Sequence, residues 1–555
     1  MSPRMGHLLA RTGLSALYGR RYARRIAAAK SPRGAQQKVL ERIVADGART
    51  AFGKRHGFAA VRNIADLRRA VPVQTYEDLR EDIEAQESTG EPRLTADRPV
   101  YYNRTSGTVA APKNIPVTAA GLARIQRNQQ LGAYAFSRWP GLFGGKVFAA
   151  SGAAVEGHMA GGTPFGAASG LLYERQPRLL RARYVLPAEL SAIEDYEQRY
   201  LAMAVFGIAE PRVTCAAIPN SSTLIRLLDL VNQRPDEVLR MVADGRLPEG
   251  ARSRAMPGRN PSRAGRLRAT LDATGRLTYA DIWPHLAGVV TWTGGSCGVA
   301  IRALKPMLSR DCGIIELGYV ASEVHGTVNV DPQLNACLPT LDQTIFEFVP
   351  RERWETGGTP DALGLAELER DKEYYVIVTT ADGLYRYDMN DIVRVTGWMH
   401  DTPTLAFVQK GKGVTSITGE KVHESQLLDA TCSALEDRGI ESTFFIALAD
   451  PETAAYTLYV ETREEGRSDD DLAELVEARL GSANIEYHGK RASGRLRSMR
   501  VVWLARGTGE AYRARCVAQG QRDAQFKYLH LQYAGECDFD FDACNRADRR
   551  QHLPR

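Results

Sequence analysis

Lysine is scarce in this chain: twelve lysines stand against sixty arginines among 555 residues. A lysine beside a polar loop or motif is therefore notable. Cysteine is also sparse. The eight thiols are scattered, none forms C-x-x-C, and the nearest pair is Cys537 and Cys544. That spacing gives neither a zinc framework nor a disulfide scaffold, and it fits a reducing, cytoplasmic setting. No uninterrupted apolar run reaches about 18 residues, so no transmembrane helix is expected. The 50 glycines and 26 prolines are too few and too dispersed for collagen or a long linker. There is no fixed-period repeat, which argues against a solenoid. No G-x-S-x-G elbow occurs, and no two of His158, His285, His325 and His423 sit at metal-ligand spacing. A hydrolase triad or zinc centre is not expected.

Acidic residues are missing from the first forty positions, while Arg4, Arg11, Arg20, Arg21, Arg24, Arg25, Lys30, Arg33 and Lys38 are present. No apolar stretch follows the twin arginine, so a signal peptide is not expected. The reading is a solvated amphipathic helix without stable membrane insertion. A second basic stretch, 246–268, has no interleaved aromatics for stacking on bases, so a nucleic-acid partner is not expected.

What is present is ordinary for a globular enzyme: 44% hydrophobic and 25% charged residues, with net charge +6. The length allows about two to four domains. Residues 8–50 read as helix broken near Ser31-Pro32, and 119–136 as a further helix. The middle alternates helices with short apolar strands, such as 213–218 and 288–292, which argues α/β. After about residue 370 the pattern becomes β-rich. A strand over 374–380 meets the Asp382-Gly383 turn, and 384–387 reads as the returning strand. Helices at 423–437 and 469–480 with strands at 444–448, 456–462 and 499–504 then make a compact α+β module. Two lysines and two glycines in 409–413 mark the expected hinge. The expectation is a large α/β domain over 1–408 and a smaller, mobile α+β domain over 409–555.

Three segments carry chemistry. The first is Thr105-Ser106-Gly107-Thr108-Val109-Ala110-Ala111-Pro112-Lys113, where hydroxyls and a Cβ-free backbone can face phosphate oxygens and a lysine adds a point charge. It is not a P-loop. The second is Gly318-Tyr319-Val320-Ala321-Ser322-Glu323, after a buried strand, where α/β proteins bind ligands. Tyrosine stacks on purines and a carboxylate holds Mg²⁺. The third is Tyr385-Arg386-Tyr387-Asp388-Met389-Asn390-Asp391, whose acid can accept two ribose hydroxyls. Each alone is a common turn or hairpin; their order and spacing are far more specific.

Together they resemble the adenylate-forming superfamily, and more closely the bacterial branch of the Gretchen Hagen (auxin-responsive) family of acyl acid amido synthetases. The resemblance extends through Thr50-Ala51-Phe52-Gly53, His56-Gly57-Phe58, Val71-Pro72-Val73, Tyr76-Glu77-Asp78 and Ile115-Pro116-Val117-Thr118. It continues at Pro219-Asn220-Ser221-Ser222, Trp283-Pro284, Trp292-Thr293-Gly294-Gly295, Gly419-Glu420-Lys421 and Gln525-Phe526-Lys527. It implies ATP and Mg²⁺ as cofactors and a small carboxylic acid plus an amine or amino acid as substrates. In that pattern Ser106, Gly107, Thr108 and Lys113 match the phosphate loop. Gly294 and Gly295 approach the adenine, Tyr319 stacks on it, and Ser322 also lines the nucleotide site. Asp391 takes the ribose, Lys410 lies near the hinge lysine or arginine, Glu323 holds the metal, and Lys527 reaches the carboxylate and α-phosphate. The chain departs from the family at Val109 and Ala111, which stand for a hydroxyl residue and a glycine. Asn390 stands for the glycine before the ribose acid, and no proline follows the Lys527 segment. Two other readings remain open: adenylation followed by transfer to a thiol, giving a CoA or carrier-protein thioester, and a non-catalytic nucleotide- or acid-binding relative.

Overall fold

Proline and threonine set the helix starts. The computed structural model describes residues 3–546 except 105–112, 194, 250, 252, 254, 356–360, 412–413, 419, 465, 493 and 520–525. Helices Pro3–Ala28 and Pro32–Gly47 meet at the expected break, with Pro32 in the first turn of the second helix, where a missing N–H costs nothing. Helix Ala119–Phe136 begins at Thr118, whose hydroxyl accepts the Gly121 N–H at 3.0 Å.

Contacts divide the chain into two compact units. One comprises Met1–Thr293 with Pro306–Phe407, the other Gly294–Lys305 with Val408–Arg555. The larger unit is mixed α/β. Its parallel sheet takes Lys146–Ala149, Val213–Ala217, Gly288–Thr291 and Gly313–Glu316 in chain order, each later strand parallel to the one before. Strands Asn114–Thr118 and Pro99–Arg104 pair antiparallel in a second sheet, with Arg104 opposite Asn114. They clamp the two ends of the segment 105–112. A third, antiparallel sheet holds Ile345–Pro350, Glu373–Thr379, Tyr387–Met399 and Thr402–Lys410 in that order.

The third sheet departs from the sequence reading. Residues 384–386 are not strand; the strand begins at Tyr387 and runs to Met399. Side-chain anchoring outweighs the ladder here. Tyr385 stacks on Phe52 with centroids 4.7 Å apart and donates its hydroxyl to the Leu94 carbonyl at 2.6 Å. Arg386 adopts φ 45°, and its guanidinium meets Glu347 at 3.0 and 3.2 Å and the Val71 carbonyl at 2.7 Å. Glu347 is 1% exposed and also accepts from Arg68 at 2.8 Å. Removing the shared anion strands two cations, one of them buried. Glu347→Ala should therefore lower unfolding free energy by about 3–5 kcal/mol in urea titration. A loss below about 1 kcal/mol, the level of a surface pair, would contradict this account.

The smaller unit is α+β. Its sheet has the order Arg500–Trp503, Ala455–Thr462, Ser442–Asp450, Leu531–Tyr533. Side chains alternate along a strand, and here both faces are covered. Phe445, Ala447 and Ala449 enter a core with Leu427 and Leu435 of helix Glu424–Asp437 and Val476 of helix Leu472–Ala483. Phe444, Ile446 and Leu448 enter another with Tyr512 and Cys516 of helix Thr508–Ala518. That is why this strand reads as an unbroken apolar run rather than an alternating one. Helix Ser296–Leu304 also belongs to this unit, where it packs with Glu424–Asp437 and Arg302 lies 3.8 Å from Glu436.

Candidate functional site

The larger unit draws together segments that lie far apart in sequence. Asn103 is the penultimate residue of strand Pro99–Arg104, and its amide donates to the Ser322 carbonyl at 2.9 Å across 219 positions. This ties the base of the loop to the Tyr319–Glu323 motif. Lys113, at the loop's other end, donates to the Tyr387 hydroxyl at 3.0 Å, with its ammonium 5.7 Å from that ring and 5.8 Å from the Tyr76 ring. Tyr319 donates its hydroxyl to Asp391 at 2.7 Å, joining the second motif to the third. Burial first, and then the Asp391 anion, push that hydroxyl well above the ordinary tyrosine range, so it stays a donor.

Asp391 lies in a bulge of its strand. Between the Tyr375–Ile392 and Ile377–Asp388 pairs the long strand carries extra residues, and within them Asn390 takes φ 49°. Asparagine tolerates this left-handed conformation best after glycine. Its own N–H is held by the Asp388 carboxylate at 2.7 Å. Asp391 is 1% exposed.

Two acids that the sequence reading did not single out hold the frame. Asp382 had been read only as a turn residue. Its carboxylate accepts the Thr118 N–H at 3.1 Å, the Thr118 hydroxyl at 2.7 Å and Arg124 at 2.7 Å, pinning the helix start that follows the loop. The fit is tight: a Cβ on Gly121 would stand 2.1 Å from an Asp382 oxygen. Glu316 accepts the N–H groups of Thr293 and Gly318, each at 2.8 Å, linking the ends of two parallel strands. Only the Asp-Gly pair gave a sequence signal for either.

The other expected positions fall as follows. Ser106, Gly107 and Thr108 lie outside the described residues. Lys113, Tyr319, Ser322, Glu323 and Asp391 belong to the larger unit, where the contacts above join Ser322 to Asn103, Tyr319 to Asp391 and Lys113 to Tyr387. One face of the Tyr319 ring lies against Phe407, with centroids 6.1 Å apart, and the residue is 6% exposed. Gly294, Gly295, Lys410 and Lys527 belong to the smaller unit. Gly295 precedes helix Ser296–Leu304 with φ 58° and ψ −140°, a conformation that disfavours a side chain. Lys410 is exposed at the end of its strand, and Lys527 is half-buried. Of the expected hinge, Lys412 and Gly413 lie outside the described residues, while Gln409 is buried and accepts the Ser425 N–H at 2.9 Å.

Among the described residues no three His, Cys, Asp or Glu side chains converge as a metal cage. Mg²⁺ carried by a nucleotide needs only one or two protein carboxylates, the phosphates supplying the rest. Glu323 and its neighbours have that chemistry: Glu323, Asp388 and Asp391 all raise the Tyr387 hydroxyl, after burial as the largest cause.

Comparison with known proteins covers the same ground. The GH3 family N-terminal domain matches residues 23–311, the GH3 family central domain residues 337–410, and the GH3 family C-terminal domain residues 424–534. An indole-3-acetic acid-amido synthetase of Arabidopsis thaliana, GH3.4, is 25% identical over 543 residues, 90% of this chain and 89% of its own length. A 4-substituted benzoates-glutamate ligase of the same plant, GH3.12, is 27% identical over 44% of this chain and 46% of its own. The solved structure of the GH3.15 acyl acid amido synthetase superposes with a TM-score of 0.80 at 21% identity, covering 94% of both chains.

Proposed function

The chain belongs to the GH3 family, and from that premise we propose that it is an ATP-dependent acid–amine ligase. The observation that supports this best is the Asn103–Ser322 and Tyr319–Asp391 contact pair, which joins the strand before segment 105–112, a Tyr-x-x-x-Glu motif and a buried acid. The substrates are a small organic carboxylic acid and an amino acid or other amine, the classes in the relatives' names. The reaction belongs in the cytoplasm, which supplies ATP and keeps the eight cysteines reduced. No helix among the described residues is long and apolar enough to cross a membrane.

The difficulty to be overcome is a poor leaving group, since a carboxylate has only oxide to expel. In the first step a carboxylate oxygen attacks the α-phosphorus of ATP, the bond to the β-phosphate oxygen breaks, and acyl-AMP and pyrophosphate form. In the second, the amine nitrogen attacks the acyl carbon, AMP leaves, and the nitrogen loses a proton. Catalysis of the first step is mostly positioning and neutralisation of charge. Ser106, Gly107 and Thr108 face the phosphates. Lys113, steadied by the Tyr387 hydroxyl, sets a positive charge beside them. Asp391, oriented by Tyr319, accepts ribose hydroxyls, while Ser322, Gly294 and Gly295 border the nucleotide. Glu323 is the carboxylate that would hold Mg²⁺ together with the phosphates, and the ion, when bound, would supply neutralisation of phosphate charge. Lys527 completes the neutralisation from the C-terminal domain, which begins near residue 409 and moves between the two steps, with Lys410 at its start.

The test is AMP release with a panel of carboxylic acids and amino acids, the product identified by mass. An acid- and amine-dependent amide supports the reading. A thioester formed with CoA would replace it, and nucleotide binding without AMP release would reduce the protein to a binding relative.

A further inference from the structure

A nearly buried carboxylate that adenylation chemistry does not use accepts the backbone N–H of His530, three positions after Lys527. Glu424 opens helix Glu424–Asp437 and is 6% exposed. An acid in a first helical turn interacts well with the helix dipole, but it gains that from an exposed position too. Burying a carboxylate is costly unless partners compensate. The partners of Glu424 come from 106 positions downstream: its Oε1 accepts the His530 N–H at 2.5 Å, and the Lys527 charge acts on it. His530 is 3% exposed and donates Nδ1–H to the Phe445 carbonyl at 2.6 Å. Burial lowers its imidazole to about 4, so it is neutral near pH 7. The adjacent Ser425 N–H is taken by Gln409. Among the described residues, Lys527 is the charged group that acts on Glu424.

We propose that Glu424 is the positioning residue of the adenylation lysine, pinning the segment 526–530 through the His530 N–H and supplying the fixed anion that orients the Lys527 ammonium. This rests on the reading of Lys527 given above. Glu424 does not touch the reacting atoms; it acts through Lys527. Its charge is sensitive to pH near neutrality, because burial pushes the carboxyl up to about 7 while Lys527 and the His530 N–H pull it down. Above that pH the anion is present. Below it the acid is protonated, and the hydrogen bond survives through its carbonyl oxygen without the charge.

Glu424→Gln separates the two functions, since the amide oxygen still accepts the His530 N–H while the charge is gone. Acyl-adenylate formation should be followed in single turnovers at saturating ATP, Mg²⁺ and acid between pH 6 and 8. The wild-type rate should rise with an inflection near 7. The Gln variant should run about tenfold slower at pH 8, the equivalent of one pKa unit of charge interaction, on a flat profile at the level of wild type at pH 6. Its melting temperature and its conversion of preformed acyl-adenylate to amide should stay near wild type. Glu424→Asp, which retains the charge, should keep the inflection at a reduced rate, and it serves as the probe if the Gln variant fails to fold. A Gln variant with the wild-type rate and inflection, or an Asp variant without the inflection, overturns the proposal. Lys527→Ala is run in parallel. If that variant adenylates normally, the reading of Lys527 falls; if it is impaired while Glu424→Gln is not, only the role of Glu424 falls.

Discussion

Lys527→Ala is expected to lower acyl-adenylate formation about 10²–10³-fold, the order for one charge contact made in the transition state. The same variant converts a chemically supplied acyl-adenylate to amide at close to the wild-type rate. The two results belong together. On the proposed mechanism the ammonium would stabilise negative charge that develops as the carboxylate meets the α-phosphorus, and that charge is absent when an amine attacks an acyl carbon already bound to AMP. Lysine to arginine does not restore the first step, because a planar fork replaces a compact point charge poorly. The measurements are pyrophosphate release for the first step and amide formation from preformed adenylate for the second. Equal impairment of both steps, or of neither, contradicts the assignment.

Glu323→Gln is expected to lower Mg²⁺-dependent adenylation about 10²–10³-fold, while ATP affinity should fall only a few-fold. The amide is nearly isosteric but neutral. It leaves the Asn103–Ser322 and Tyr319–Asp391 contacts intact, so the nucleotide still has its frame. On the proposed mechanism, what is lost is the anion that would hold the metal where phosphate charge is redistributed. AMP formation is compared with ATP affinity from equilibrium titration, over a range of Mg²⁺ concentrations. A parallel loss in both quantities would make Glu323 a binding residue alone.

Local chemistry made much of the fold legible. Helix Ala119–Phe136 matched its expected limits because a capping threonine marks its start. The strands of the C-terminal module stood out as β-branched and aromatic runs. The misreading at 384–386 has the opposite cause: Tyr385 and Arg386 look like strand residues, but their conformation is set by Phe52, Leu94, Glu347 and Val71, partners hundreds of positions earlier or on another strand. The candidate site shows the same divide. The motif residues were visible as types in order. Asp382 and Glu316 were not, because what they hold is backbone N–H, which any sequence has. Glu424 reads as an ordinary acid in a helix's first turn until His530 is brought against it.

The discontinuous make-up of the smaller unit has a consequence for synthesis. Its helix Ser296–Leu304 leaves the ribosome roughly a hundred residues before helix Glu424–Asp437, against which it packs. In that interval Arg302 has not yet met Glu436, and the apolar side chains of Cys297, Ile301 and Leu304, all buried in the finished chain, lack their final surroundings. The unit therefore closes only after most of the larger one has been made. A fragment cut at Val408 would be missing one of its own helices, and a truncation ending at Phe407 would carry that helix with no partner to receive it.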